Sequence, residues 1–482
     1  MAPTSSEGLP YRVPCETYLE LAATEPAMKR AIVLRLIRIH PRCVLELPVS
    51  EGMEANLRGA DLSQHTPNVG TCRDVGQENV SQSIQPLPTL RRAVLHGADL
   101  ESVNLQGTEI GEADLRDAVI RKGNLRGARL ERANLMGADL AGACLQGAML
   151  GEADLRGVKL EDADLQGASL RFADLRGAIL EGANLVQADL WGTNLEGAVL
   201  TNANLRTATL NDANLQKTDL AGANLQGAEL GKADLRGANL RGAELVRAQM
   251  RGAKLQGAIL AEASLQGISL AECDLSNVHL SGAWLEKTQC AQDQFGGAIG
   301  EELVGDFTAA AKGYLALERN FTGLGDKEAA SWAYRKRRRM EKRAALANAR
   351  KALGQCDWWT AACWSGRYAA DQFVEWLCDY GESVPRVLAV LFLLYLLFAV
   401  LYGMTGSVVR VQDTPAGIVR TPTSNPTDLA IFSLLAMTTS GSPTVGLLPS
   451  SELVHLLTGL QALVGIALTG LLGFVVGNRI RR

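Results

Sequence analysis

The chain has 482 residues, a length that suggests about three domains. Its net charge of −4 excludes a strongly basic nucleic-acid binder, and 5% aromatics with 49 glycines is unlike a globular enzyme. Nine cysteines form no CxxC pair and five histidines are scattered, so no metal site, disulfide framework or cofactor is indicated.

In chain order, residues 1–50 are read as an N-terminal helical cap. A basic amphipathic stretch from Ala27 to Ile39 suggests the helix. No apolar signal core precedes it, so most of the chain is expected in a reducing cytoplasm.

Residues 51–289 carry a repeat. From Leu90 to Leu285 an apolar residue falls at every fifth position, 40 positions in all, and 37 of them are Leu. The exceptions are Ile110, Ile120 and Met250. A small residue, usually Ala, lies two before each, and Asp or Asn often lies between, as in Ala138-Asp139-Leu140. Gly often follows two later, as at Gly177. A period of five fits neither an amphipathic helix nor a plain strand. It fits a short extended segment and a corner, with Ala and Leu inward, Asp or Asn outward, and Gly easing the bend. Stacking such units gives a solenoid with one continuous core. The piece Ala55 to Leu62 repeats the pattern out of phase, and residues 63–88 break it as an insertion.

The pattern A-[D/N]-L-x-x resembles the pentapeptide-repeat family. That resemblance implies a right-handed, four-sided parallel β-helix with four repeats per coil. Forty repeats would make ten coils, about 45–50 Å long. Residues 91–285 carry 25 acidic and 20 basic side chains, interspersed, so a DNA-mimicking acidic face is disfavoured. The recurrent Asp residues read as structural rather than catalytic. Trp191 and Trp284 fall at outward positions.

Residues 290–356 read as a helical hairpin connector. Helices are expected at 301–319 and 327–353, with a turn at 320–325, and the hairpin is expected to cap the open end of the solenoid. Residues 335–351 hold nine Lys or Arg against one Glu, read as a solvated face that biases membrane orientation. Residues 357–383 read as an amphipathic interfacial helix. Four of the seven tryptophans lie there: Trp358, Trp359, Trp364 and Trp376.

Residues 384–482 read as a two-span domain. Uncharged stretches at 387–409 and 453–478 are long enough to cross a bilayer, which takes about 20 residues. Basic residues precede the first and follow the second, so the solenoid and the C-terminus are expected in the cytoplasm. Between them, 427–437 is apolar but too short to cross. Thr438, Thr439, Ser440, Gly441, Ser442, Pro443, Thr444, Val445 and Gly446 follow. A short helix, a hydroxyl- and glycine-rich extended segment and a second span suggest a re-entrant pore loop, because non-helical backbone at membrane depth must line water or protein. Gly465, Gly470, Gly473 and Gly477 are candidate packing or hinge positions of the second span.

This layout resembles the two-span tetrameric channels of the potassium-channel superfamily, and bacterial pentapeptide-repeat proteins ending in such a domain. Tyr380-Gly381-Glu382, Met437-Thr438-Thr439 and Gln461 to Gly465 carry the resemblance. The family filter T-T-x-G-[aromatic]-G-D is not kept: Ser442, Pro443 and Thr444 replace its last three residues. Proline fixes φ near −65° and cannot copy a glycine that needs another torsion. The expectation is a homotetrameric, weakly selective channel in a bacterial inner membrane, with lipid and inorganic ions as partners. A cytoplasmic protein partner for the solenoid is left open, nucleic acid is not expected, and no catalytic or metal-binding residues are identified. The alternative is a non-conducting, membrane-anchored scaffold.

Overall fold

The computed structural model describes residues 90–405, 408–414, 417–438, 447–450 and 452–481. The expectations for residues 1–50, for the out-of-phase repeat and for the insertion lie outside the described residues. The chain forms two compact units that divide between Leu324 and Gly325.

In the first unit each coil takes 20 residues, so Val94 bridges Asp114 and Asp114 bridges Asn134, in parallel throughout. One repeat shows why five residues close the pattern. Leu115 N–H donates to Asn134 O (2.7 Å) and Asp117 N–H to Met136 O (3.0 Å), both on the next coil. Val119 N–H donates back to Ala98 O (2.9 Å), and Ala118 N–H closes the corner on Leu115 O (3.1 Å). The fifth donor, Arg116 N–H, reaches the Asp114 side chain (3.3 Å). Every backbone donor of the repeat is thus satisfied, which a buried or stacked chain requires. The Asp or Asn before each Leu is selected because its side chain accepts the N–H two residues on. Asn adds rungs between coils, as from Asn184 to Asp164 (2.9 Å) and Asn214 to Asn194 (3.0 Å).

The corner has a positive φ at the third residue of a four-residue turn. Glycine supplies it at Gly97 and Gly137, but Arg132, Phe172 and Thr207 adopt it too. The bend is therefore imposed by the coil, and glycine relieves it rather than creating it. Ala and Leu of each repeat are buried inside. Where Thr replaces Ala, its hydroxyl finds a carbonyl one coil away: Thr193 to Leu170 O (2.8 Å) and Thr218 to Leu195 O (2.9 Å). Cys273 does the same with Met250 O (3.0 Å).

The solenoid's last coil is closed by α1 (Gly300–Val304) and α2 (Phe307–Leu324), which follow a 3-10 turn at Gln292–Phe295. Polar side chains substitute for the missing coil. Glu301 accepts the N–H groups of Leu280 (2.7 Å) and Ser281 (2.6 Å). Asn320 accepts from Thr288 N–H (3.1 Å) and donates to Thr288 O (2.8 Å). Gln294 donates to Leu270 O (2.7 Å) and Cys273 O (3.0 Å). The expected turn at 320–325 is corrected: the helix continues to Leu324, because Asn320 and Phe321 are buried on its inner face. The expected two-helix connector is also redistributed, since its second helix belongs to the second compact unit.

That unit contains α3 (Lys327–Gly354), α4 (Trp358–Cys378), α5 (Val384–Thr405), β1 (Val408–Thr414), β2 (Gly417–Pro422), α6 (Pro426–Thr438), β3 (Leu447–Pro449) and α7 (Glu452–Arg481). Asp326 caps α3 by accepting from Ala329 N–H, and Asp357 caps α4 by accepting from Thr360 N–H, both at 3.0 Å. The helix placed at the first span ends at Thr405 rather than 409. Val408 and Val409 start β1 instead, which pairs with β2 on one side and β3 on the other, both antiparallel.

The candidate membrane domain and its short helix

α3 and α4 pack side by side through an ionic seam. Arg338 pairs with Asp371 (2.7 Å), Arg339 with Glu375 (2.9 Å) and Asp379 (3.4 Å), and Lys342 with Glu375. Burial opposes ionisation of Glu375, yet Lys342 and Arg339 hold its carboxyl below the usual range. The basic run is therefore not simply a solvated face: Arg337, Arg338, Arg339 and Lys342 all have carboxylate partners within the unit. Consequently α4 turns its acids inward and its large apolar residues outward. Trp358, Trp359, Phe373 and Trp376 are all exposed. After α4, Asp379 and Tyr380 both take positive φ, a sharp reversal that leads into α5. Cys378, Val387 and Val475 then pack the start of α5 against the end of α7.

Among the described residues two helices are long and apolar enough to cross a membrane, Val384–Thr405 and Val454–Gly477. Only 17% and 28% of their most apolar windows are buried, whereas the core helix of a soluble protein would be mostly covered. Leu393, Leu397 and Val400 of α5 and Leu456, Leu463 and Ile466 of α7 face outward. The 13-residue α6 packs against both long helices. Its own inner face, Leu429, Phe432 and Ser433, is buried with Phe398 and Tyr402 of α5 and Val454 of α7. Its N-terminal turn is tied down by Asp428, which pairs with Arg410 of β1 and accepts from the Thr423 hydroxyl (2.8 Å).

Thr438, the first of the expected constriction residues, is the last residue of α6, and its hydroxyl donates back to Leu434 O (2.9 Å). Thr439, Ser440, Gly441, Ser442, Pro443, Thr444, Val445 and Gly446 lie outside the described residues. The chain is next described at Leu447, which pairs with Arg410 of β1. Both flanks of the segment are thereby attached to ordered elements. Among the helix glycines, Gly465 meets α6 so closely that a Cβ there would overlap the Met437 carbonyl. Gly470, Gly473 and Gly477 have no neighbour within 4 Å of such a Cβ. The structure therefore separates one packed glycine from three on open surface.

Reading the residues alone missed a buried polar chain. Tyr402 donates to Gln461 Oε1 (2.8 Å), and Gln461 Nε2 donates to Ser433 O (3.1 Å) and Oγ (2.9 Å). Ser433 in turn donates to Tyr395 O (2.9 Å). The signal was available as Gln461, the single amide between Val454 and Gly477. A cavity of about 300 Å³ lies beside this chain, lined by Phe432, Leu447, His455, Thr458 and Ala462 among others. Among the described residues no group of three or more His, Cys, Asp or Glu is placed to hold a metal ion.

On the solenoid, the recurrent carboxylates are engaged. Arg116, Arg156 and Arg176 donate to Asp114, Asp154 and Asp174 and hold their carboxyls below the usual range. Trp284 is exposed. Trp191 stacks edge-on with Phe172 (4.7 Å), beneath Arg171.

Comparison with known proteins identifies the repeat. The Pentapeptide repeats family model matches in 8 copies, over residues 89–117, 113–150, 143–182, 153–192, 188–227, 218–257 and 253–288. HetL, a pentapeptide repeat protein involved in heterocyst differentiation regulation from the cyanobacterium Nostoc, is 31% identical. The match covers 53% of this chain and 95% of HetL, with a TM-score of 0.35. A second Nostoc pentapeptide repeat protein is 38% identical over 20% of this chain and 69% of its own, with a TM-score of 0.12. One from the thylakoid lumen of Arabidopsis thaliana is 29% identical over 25% of this chain and 71% of its own, with a TM-score of 0.16. None of the curated proteins matches the chain. The chain belongs to the pentapeptide-repeat proteins, and it joins their right-handed β-helix to a helical C-terminal region with two helices apolar enough to cross a membrane.

Proposed function

We propose that this protein is a homotetrameric two-span ion channel of a bacterial inner membrane, with a cytoplasmic solenoid for assembly or sensing. The observation that carries the reading is α6. It is too short to cross, it is held between two helices long enough to cross, and it ends at Thr438, where the hydroxyl- and glycine-rich segment begins. On this reading α6 is a pore helix and residues 438–446 form a re-entrant constriction. Hydroxyls and carbonyls there replace part of an ion's hydration shell. Two spans cannot enclose a path alone, so several copies must combine. The outward apolar faces of α5 and α7 supply the surface for that and for lipid. The outward tryptophans of α4 support a position along the inner membrane surface on this reading, because indole rings favour the headgroup layer. Pro443, at a glycine position of the related filters, argues for weak selectivity.

The second reading is a membrane-anchored scaffold whose solenoid binds a protein partner and whose loop does not conduct. The same proline favours it. The deciding experiment is single-channel recording from purified protein in planar bilayers under asymmetric salt, beside a Thr439→Ala, Gly441→Ala double variant. Unitary currents altered by the variant support the channel, and the reversal potential reports the preferred charge. Silence from verified folded oligomers under voltage, low pH and membrane tension overturns it in favour of the scaffold.

A further inference from the structure

The buried chain Tyr402–Gln461–Ser433–Tyr395 does more than fill space between helices. Gln461 is 1% exposed, and its amide oxygen and nitrogen are both engaged. Its partners sit on two different helices, Tyr402 on α5 and Ser433 on α6. Ser433 extends the chain back to α5 through the Tyr395 carbonyl. A primary amide in an apolar span is costly unless satisfied, and here its partners come from both other helices of the domain.

The register sharpens the point. Gln461 grips the Ser433 carbonyl, and one turn on in both helices Gly465 lies against the Met437 carbonyl. Residues 461 and 465 of α7 thus follow residues 433 and 437 of α6, four apart on each. The first contact fixes α6 by hydrogen bonds and the second by close approach. Both act on the carbonyl end of α6, next to Thr438. The other end is held separately by Asp428.

We infer that Gln461 is the positioning residue of this domain: acting through Ser433 and Tyr402, it sets where the carbonyl end of α6 stands relative to both long helices, and so where the segment from Thr438 begins. The inference rests on the channel reading for its consequence, since it assigns Gln461 control of the constriction without contact with an ion. It stands apart from that reading in its structural content.

The test uses the full chain in lipid nanodiscs. Gln461→Leu removes the hydrogen bonds and keeps an apolar side chain of similar size. Tyr402→Phe and Ser433→Ala remove fewer, and Met149→Ala changes an exposed solenoid residue as control. Amide hydrogen exchange is followed over residues 429–438 and, as an internal reference, over the α3–α4 seam. Interhelical hydrogen bonds in membranes predict exchange about three- to twentyfold faster in α6 for Gln461→Leu, and less for Tyr402→Phe. The seam and the control variant keep their rates. In bilayer recordings Gln461→Leu shifts the reversal potential, which a merely structural filler would not do. Unchanged exchange in α6, or equal acceleration throughout the unit, overturns the inference. Should Gln461→Leu fail to fold, Tyr402→Phe and Ser433→Ala decide it by the same measurement. If the wild type passes no current, the channel reading falls while the exchange result still decides the role of Gln461.

Discussion

Replacing Asn320 with Ala tests whether the solenoid end is closed by side-chain mimicry of an eleventh coil. Asn320 is 1% exposed and binds both backbone groups of Thr288, accepting at 3.1 Å and donating at 2.8 Å. Alanine leaves a buried N–H and a buried C=O without partners. Each such loss costs about 1–3 kcal/mol, so the pair amounts to about 2–5 kcal/mol after relaxation. In the full chain the loss falls on the last coil, because a solenoid couples mainly nearest neighbours. Amide exchange over residues 270–289 should accelerate by about 30- to 4,000-fold, at tenfold per 1.4 kcal/mol. Exchange over residues 130–170 should not change. Asn320→Asp, which keeps the acceptor and loses the donor, should fall between. Last-coil exchange within threefold of wild type would refute the reasoning and leave apolar contact of α2 as the closing force.

Glu301→Gln should raise stability at neutral pH. Burial pushes the Glu301 carboxyl up, against the pull of the bound N–H groups and His279. The folded state therefore holds the proton more tightly, and this stabilisation is complete below the ordinary carboxylate range and lost as pH rises through the raised value. The amide removes that slope, which denaturation midpoints between pH 4 and 8 would show. Thr207→Gly should stabilise the solenoid by up to about 1 kcal/mol by relieving a β-branched residue at φ 54°, seen as a higher unfolding temperature. Arg338→Leu leaves Asp371, which is 7% exposed, without its 2.7 Å partner. It should destabilise the α3–α4 seam by about 3–5 kcal/mol, and Arg338→Leu with Asp371→Leu should recover most of that in the same exchange assay.

The solenoid was legible because its physics is local and repeated. Leu95, Leu100 and Leu105 announce the core, and a five-residue period leaves few alternatives. The reason for Asp and Asn was less visible. Facing outward explains a polar residue, but only the bond from Arg116 N–H to Asp114 explains that residue type. The cap was readable as a helical region but not as chemistry. Glu301 and Asn320 are separated from their partners by 20 to 32 residues, and no periodicity marks them. β1 to β3 were missed because Val408 and Val409 continue the apolar run of the first span, and pairing with β2 and β3 rather than composition decides the state of Val408 to Thr414.

The basic run between 335 and 351 shows the limit most clearly. Counting charges gives a cationic face, but Asp371 and Glu375 on the next helix and Asp379 just after it stand at positions that meet Arg338, Arg339 and Lys342. Those pairs draw the polar side of α4 inward, and this in turn forces Trp358, Trp359, Phe373 and Trp376 outward. An ionic seam therefore creates the apolar face, and the face cannot be understood from the α4 sequence alone. The consequence for the proposed function is direct. If the outward tryptophans rest on lipid, weakening the seam with Arg338→Leu should loosen α4 from the membrane as well as from α3. Tryptophan quenching by lipids brominated near the headgroup should then fall in Arg338→Leu and return in the Asp371 double variant. Unchanged quenching would mean that α4 holds its surface without α3, and the seam would be structural only.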